Sequence, residues 1–361
     1  ALVLSFLVLG CFYSAENAKR PPWQYVVGNS KLKFIANKLK LATLLKGILV
    51  LCFGLAILSG FIGNQDRYRN FNMTFFWISF ALGASYLSAL FGNWYHYLNP
   101  WKFLLSPFKK FSQGRYTYPN ELAYWPALVL YIAFICLELF GNTQPYSLSV
   151  ILLSYTAINL FAVYLVGSAA WFRYGDPANQ AGQRQLTLRL PFSGLLHERI
   201  EHRSLLVFLL FMLSSTAYDG LRETSLWFNI FWQDPLHILE ALLDKHPLHA
   251  YITLRPWYIG FETLCLLLSP FIYLGLFLFF LWLGKCLTRS PLTVTELSLR
   301  FGYSLLPIAL VYHITHYYTL VLSQGLKLRG LFSDPFGWGW DIFGTAISGR
   351  LPVLPDMGFI W

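Results

Sequence analysis

Apolar residues fall along this chain in long blocks separated by short polar stretches, and neither alternation by twos nor an isolated amphipathic repeat dominates. The blocks lie at about 1–12, 41–63, 71–93, 122–140, 146–172, 204–220, 257–284 and 301–325. Most approach or exceed the roughly 20 residues that carry a helix through the hydrocarbon of a bilayer. The pattern therefore predicts an all-α, polytopic transmembrane helix bundle of eight spans. The block at 1–12 is taken as the end of a first span, and Met357 to Trp361 as the start of a ninth in a complete chain. The expectation is a single transmembrane domain over 1–361.

The polar stretches divide by charge. Lys and Arg crowd the loops at about 19–40, 102–115, 173–203 and 285–300, and are sparse in the loops between them. Basic residues collect on the cytoplasmic side of membrane proteins, so the first set is expected inside and the second outside. Adding or losing one span in the middle would break this alternation, so it supports the count as well as the orientation. The long outer stretches, about 221–256 and 326–361, are expected to form an external cap. Within the first, residues 235–244 have helical apolar spacing but are too short to span, so a helix along the interface is predicted.

Composition agrees. Of 361 residues, 56% are hydrophobic and 12% charged, and Lys plus Arg exceed Asp plus Glu by 27 to 17. In a soluble protein that excess would suggest nucleic acid; here it is explained by orientation, and the expected surroundings are membrane lipids. The basic loop from Lys102 to Arg115 suits anionic lipid heads without a dedicated function. Cys11, Cys52, Cys136, Cys265 and Cys286 are scattered, with no zinc-like spacing. A phosphate-cradling glycine loop, GxSxG and HExxH are all missing from the sequence.

Ionisable residues inside such blocks are costly, and several at one depth suggest a shared site. On the last block His313 is roughly 18 Å from Phe301, at about 1.5 Å per residue, and His316 is one turn further out. His313, His316, Thr319 and Ser323 share an arc of roughly 120° and form one polar stripe. Glu138, Asp219 and Glu262 fall toward the same outer end of their own blocks. Two imidazoles at i, i+3 with nearby carboxylates can ligate a divalent metal ion, which would give His313, His316, Glu138 and Asp219 as ligands. The same residues also suit interhelical hydrogen bonds that only stabilise the bundle, haem ligation, or a proton relay. For Glu262 and His96, beside interfacial aromatics, solvation at the membrane boundary is expected. The GWGW stretch at 337–340 reads as a turn and surface cap.

Five ordered segments carry a family resemblance: LFGNWYHYLNPWK (90–102), NELAYWPALVLYIAFICLELF (120–140), SSTAYDGLRETSLW (214–227), SLLPIALVYHITHYYTLVLSQG (304–325) and SDPFGWGWDIFGTA (333–346). Together they resemble the fenitrothion hydrolase family of bacterial multi-pass membrane proteins, over about residues 80–346. The resemblance implies a bacterial inner-membrane protein that cleaves a phosphotriester. Glu138, Asp219, His313, His316, Asp334 and Asp341 fall on its motif positions, and Asn93 stands where the family pattern has an acid. In a metal-assisted hydrolysis the ion would activate its water, and Asp219 and Asp341 are the candidate catalytic acids. Two other classes stay open. One is a non-enzymatic integral subunit that anchors a larger membrane complex, carrying a metal or haem for it; the other is a proton- or ion-coupled transporter.

Overall fold

The computed structural model describes residues 24–26, 41–91, 99–106, 114–174, 187–189 and 200–345. The blocks expected at 1–12 and beyond 345 lie outside these residues, as do His96 and Asn93. Every other apolar block is helical, and the fold class is all-α. Apart from helices there is one short antiparallel pair among the described residues, β1 (Gln24–Val26) on β2 (Thr187–Arg189), with Tyr25 opposite Leu188.

The helices follow in chain order. α1 (Leu41–Ile62) precedes α2 (Phe71–Thr74), which runs through a π-helical stretch (Phe75–Leu82) into α3 (Gly83–Phe91). Next come α4 (Pro100–Leu105), α5 (Trp125–Phe140), α6 (Pro145–Val166) and α7 (Ser168–Tyr174). The chain continues with α8 (Arg203–Arg222), α9 (Ser225–Trp232), α10 (Ile238–Leu243) and α11 (Tyr251–Thr288). It ends in α12 (Val294–Phe301), α13 (Leu305–Gly325) and α14 (Leu328–Ser333). Among the described residues five helical segments are long and apolar enough to cross a membrane, and the apolar helices Phe71–Leu87 and Trp125–Phe140 are shorter. This is what a multi-pass membrane protein requires.

Boundaries moved where backbone chemistry overrode hydropathy. The block at 122–140 starts as a helix only at Trp125, because residues 120–124 form turns and Pro126 then sits in the first helical turn, where its missing N–H costs nothing. The block at 146–172 breaks at Gly167, whose φ of 82° is left-handed and ends α6. The block at 257–284 extends at both ends to make α11, whose 38 residues come to about 57 Å. The stretch expected as an outer loop at 221–256 is mostly helical, with α9, α10 and a 3-10 turn at Pro247–Ala250 leading straight into α11. A short helix, α10, forms within the stretch at 235–244, and Ile238 at its start and Leu236 just before it are exposed.

Contacts gather the described residues into two units. One holds 123–142 and 200–316. In it α8 packs against α5 and α11, over a core of Leu128, Ile135, Phe211, Tyr218, Trp227 and Leu266. Ser214 on α8 and Ser269 on α11 lie 3.0 Å apart between their hydroxyls, so small residues let these two helices approach closely. His202 caps α8 by accepting from the Ser204 amide, and Thr224 caps α9 by accepting from the Trp227 amide. Asp234 fixes the turn before α10 by accepting from the amides of Ile238 and Glu240.

The other unit holds α1 to α4, α6, α7, the β pair and residues 317–345. Its centre is a polar knot. The fully buried Asn72 donates to the Pro145 carbonyl at 2.8 Å and to Ser149 at 3.2 Å, and Ser149 donates to the Ile57 carbonyl. Asn70 donates to the carbonyls of Ser59 and Asn64. These bonds tie three helices together, while the buried Oδ1 of Asn72 accepts no hydrogen bond among the described residues. The 333–345 loop closes on this knot through Asn64 N–H to the Phe336 carbonyl and Phe71 N–H to the Pro335 carbonyl.

Candidate functional site

The apolar faces of α5, α8 and α11 bury one another, and the polar groups near Glu138 and Asp219 come together in this first unit. His316 on α13 belongs to the same unit. Its Nε2 lies 2.7 Å from Oδ2 of Asp219, which is in the last turn of α8. Both side chains are largely screened, at 25% and 15% exposed. The neutral imidazole must carry its proton on Nε2 to make this bond, so Nδ1 is the basic nitrogen of that tautomer. When the ring is protonated, the pair becomes a charge-assisted bond.

Asp219 is also shared. Its Oδ1 is 3.8 Å from Nη2 of Arg222, one turn on, and Arg222 Nη1 donates to the Leu139 carbonyl at 2.9 Å. That carbonyl belongs to the last turn of α5, where backbone acceptors have no intrahelical donor. Arg222 thus binds the end of α5 to the end of α8, and its guanidinium lies over the Phe140 ring at 5.7 Å. Glu223 adds a further contact at 3.5 Å to the same guanidinium. The Tyr312 ring stacks parallel to that of His316, with centroids 6.4 Å apart. The Tyr312 hydroxyl stands over Gly220, where any Cβ would collide with it.

The four expected ligands divide unevenly. His316 and Asp219 are bonded to each other. Glu138, half-buried on α5, and His313, one turn before His316, are near enough to act on His316 electrostatically. No three His, Cys, Asp or Glu side chains among the described residues are gathered as a ligand set. The Nε2 of His316 and Oδ2 of Asp219 are engaged with each other, and Arg222 lies beside Oδ1 of the same carboxylate.

Asp341 and Asp334 belong to the other unit. Asp334 accepts from the amides of Trp338 and Gly339, and Asp341 accepts from the Ser333 hydroxyl at 2.8 Å. The GWGW stretch is the turn expected of it. Gly337 and Gly339 have φ of 68° and 87°, and a Cβ on Gly337 would meet the Arg69 carbonyl.

Glu262 corrects an expectation. Solvation at the membrane boundary does not describe it, because it is 6% exposed within α11. The Tyr218 hydroxyl donates to its backbone carbonyl at 3.0 Å. Tyr258 and Trp227 lie against its carboxylate. Tyr258 is half-buried and packs in an aromatic cluster with Phe231, Trp232 and Phe261. The signal that was available is the spacing Tyr258, Glu262, Cys265, Leu266, one face of one helix.

Comparison with protein-family models, with curated proteins and with solved structures found no match.

Proposed function

We propose that this multi-pass membrane protein hydrolyses neutral phosphotriesters, with the His316 and Asp219 pair as its proton-handling centre. The observation that carries the reading is the 2.7 Å bond between an imidazole and a carboxylate from two different apolar helices. A carboxylate that holds an imidazole in one tautomer makes the other ring nitrogen a better base. Attack of water on phosphorus forms a P–O bond and breaks the bond to the aryloxy leaving group. His316 takes the proton from the water, Asp219 stabilises the resulting imidazolium, and the aryloxide departs. An uncharged triester partitions into hydrocarbon, so a site reached from within the bilayer suits that substrate class. The resemblance to the fenitrothion hydrolase family supports the same chemistry, and the loop charges support a bacterial inner membrane with this site toward the outer face.

The test is phenol release from a chromogenic aryl phosphotriester by the protein in lipid nanodiscs. His316→Ala and Asp219→Asn should each lower kcat by about 100-fold or more, the usual range for a lost general base, while the fold is retained. A wild-type protein without activity, or variants with full activity, would overturn the reading. Elemental analysis of the same samples decides the divalent-metal expectation: stoichiometric metal lost with either substitution would put an ion at this centre.

A further inference from the structure

The turn between α11 and α12 encloses an open cavity of about 460 Å³ at the far end of α11 from Tyr251. Its walls are of two kinds. Phe280, Leu281, Leu292, Leu297 and Phe301 are apolar, while Lys285, Arg300, Thr288 and Ser290 bring two cations and two hydroxyls. Neither Lys285 nor Arg300 makes a salt bridge among the described residues. Glu296 on α12 is within electrostatic reach of both cations, and its carboxylate is held in the helix cap, accepting from the amide and the hydroxyl of Thr293 at 2.8 Å. Beside the cavity α11 turns Phe279, Phe280, Trp282, Leu283 and Leu287 outward, a surface fit for acyl chains.

We propose that this cavity is a binding site for one anionic phospholipid. Two cations with the Ser290 hydroxyl match a phosphodiester headgroup, while the Thr288 hydroxyl donates to the Gly284 carbonyl at 2.8 Å. The apolar wall continues from them onto the exposed face of α11, which matches the acyl chain below that head. Charge complementarity at one end and hydrocarbon at the other select a lipid over a free anion, since a free phosphate would leave the apolar wall wet. This site is separate from the His316 and Asp219 pair and does not depend on its chemistry.

Native mass spectrometry of the full chain released from mild detergent tests the proposal, with phosphatidylglycerol, phosphatidylcholine and inorganic phosphate as probes. One phosphatidylglycerol should be retained per chain at least ten-fold more tightly than phosphatidylcholine. Lys285→Gln with Arg300→Gln should abolish that preference, and Lys285→Arg with Arg300→Lys should keep it, which separates lost charge from lost fold. Equal retention of the two lipids, an unchanged preference in the double Gln variant, or displacement of the lipid by millimolar phosphate would each overturn it.

Discussion

The Ser269 hydroxyl donates to the Leu266 carbonyl at 2.8 Å, and Pro270 is the reason that this carbonyl lacks a backbone donor. A proline within a helix removes the N–H that would have reached back four residues. Here the residue just before it supplies a replacement, and α11 runs on through Pro270 to Thr288. Ser269→Ala should therefore destabilise the protein by about 1–2 kcal/mol, the cost of a buried acceptor left without a partner. In a Pro270→Ala background the restored N–H should make the same change less costly, leaving only the loss of the contact with Ser214. A double-mutant cycle by unfolding in detergent micelles checks both.

Arg222 should matter for stability as well as for the charge of Asp219. Arg222→Met leaves the Leu139 carbonyl without its donor and removes the cation beside Asp219. The expected loss is about 2–3 kcal/mol, since the lost hydrogen bond comes from a charged donor that is mostly screened from solvent. Lys at this position should recover only part of it, because an ammonium cannot reach a carbonyl and a carboxylate in the fixed fork of a guanidinium. Unfolding midpoints of the three proteins decide.

Gly60 marks the closest approach in the second unit. A Cβ there would collide with the Ser149 hydroxyl, the Asn72 amide nitrogen and the Pro145 carbonyl. Gly60→Ala should thus cost about 1–3 kcal/mol, in the range of overpacking a dense interior. At Gly47 and Gly54, on the same helix, an added Cβ would meet nothing within 4 Å, so Ala at either should be tolerated. Comparing the three in one thermal-unfolding series isolates the effect of packing from that of helix propensity.

The segment before α10 carries a pH response. His237 Nδ1 lies 2.7 Å from Glu240, and that hydrogen bond, with the charge of Glu240, holds the imidazole above its ordinary value of 6.5. A raised value in the folded protein means that the contribution is fully present below 6.5 and fades as pH rises through the folded value. The pair is on the surface, so its reach is local. An NMR titration of His237 should show the elevated midpoint, and Glu240→Gln should return it toward 6.5. An unmoved midpoint in that variant would refute the assignment.

Much of this fold can be read from the chain because hydrocarbon leaves the backbone few choices. The blocks at 41–63 and 204–220 become α1 and α8 with ends shifted by at most two residues. The ends go wrong where one residue decides them, as at Gly167, whose left-handed φ hydropathy does not register. Depth along a helix is also legible, and it put Asp219 at the outer end of its block and His316 one turn beyond the middle of its own. Which acid pairs with His316 is not, because Glu138 is at a similar depth and only the rotation of α5 against α8 separates them. Glu262 was missed for a related reason: Trp257 and Tyr258 look alike in sequence, yet one is 73% exposed and the other is half-buried against the aromatic core.

The 38 residues of α11 also bear on how the protein meets membranes of different thickness. A rod of about 57 Å is nearly twice the roughly 30 Å of hydrocarbon it must cross, so its surplus turns have to stand in the headgroups or be taken up by tilt. Glu262 sits toward one end of this rod and Lys285 near the other. A bilayer that thickens or thins therefore changes how far this helix leans and how many of its turns stand among the headgroups.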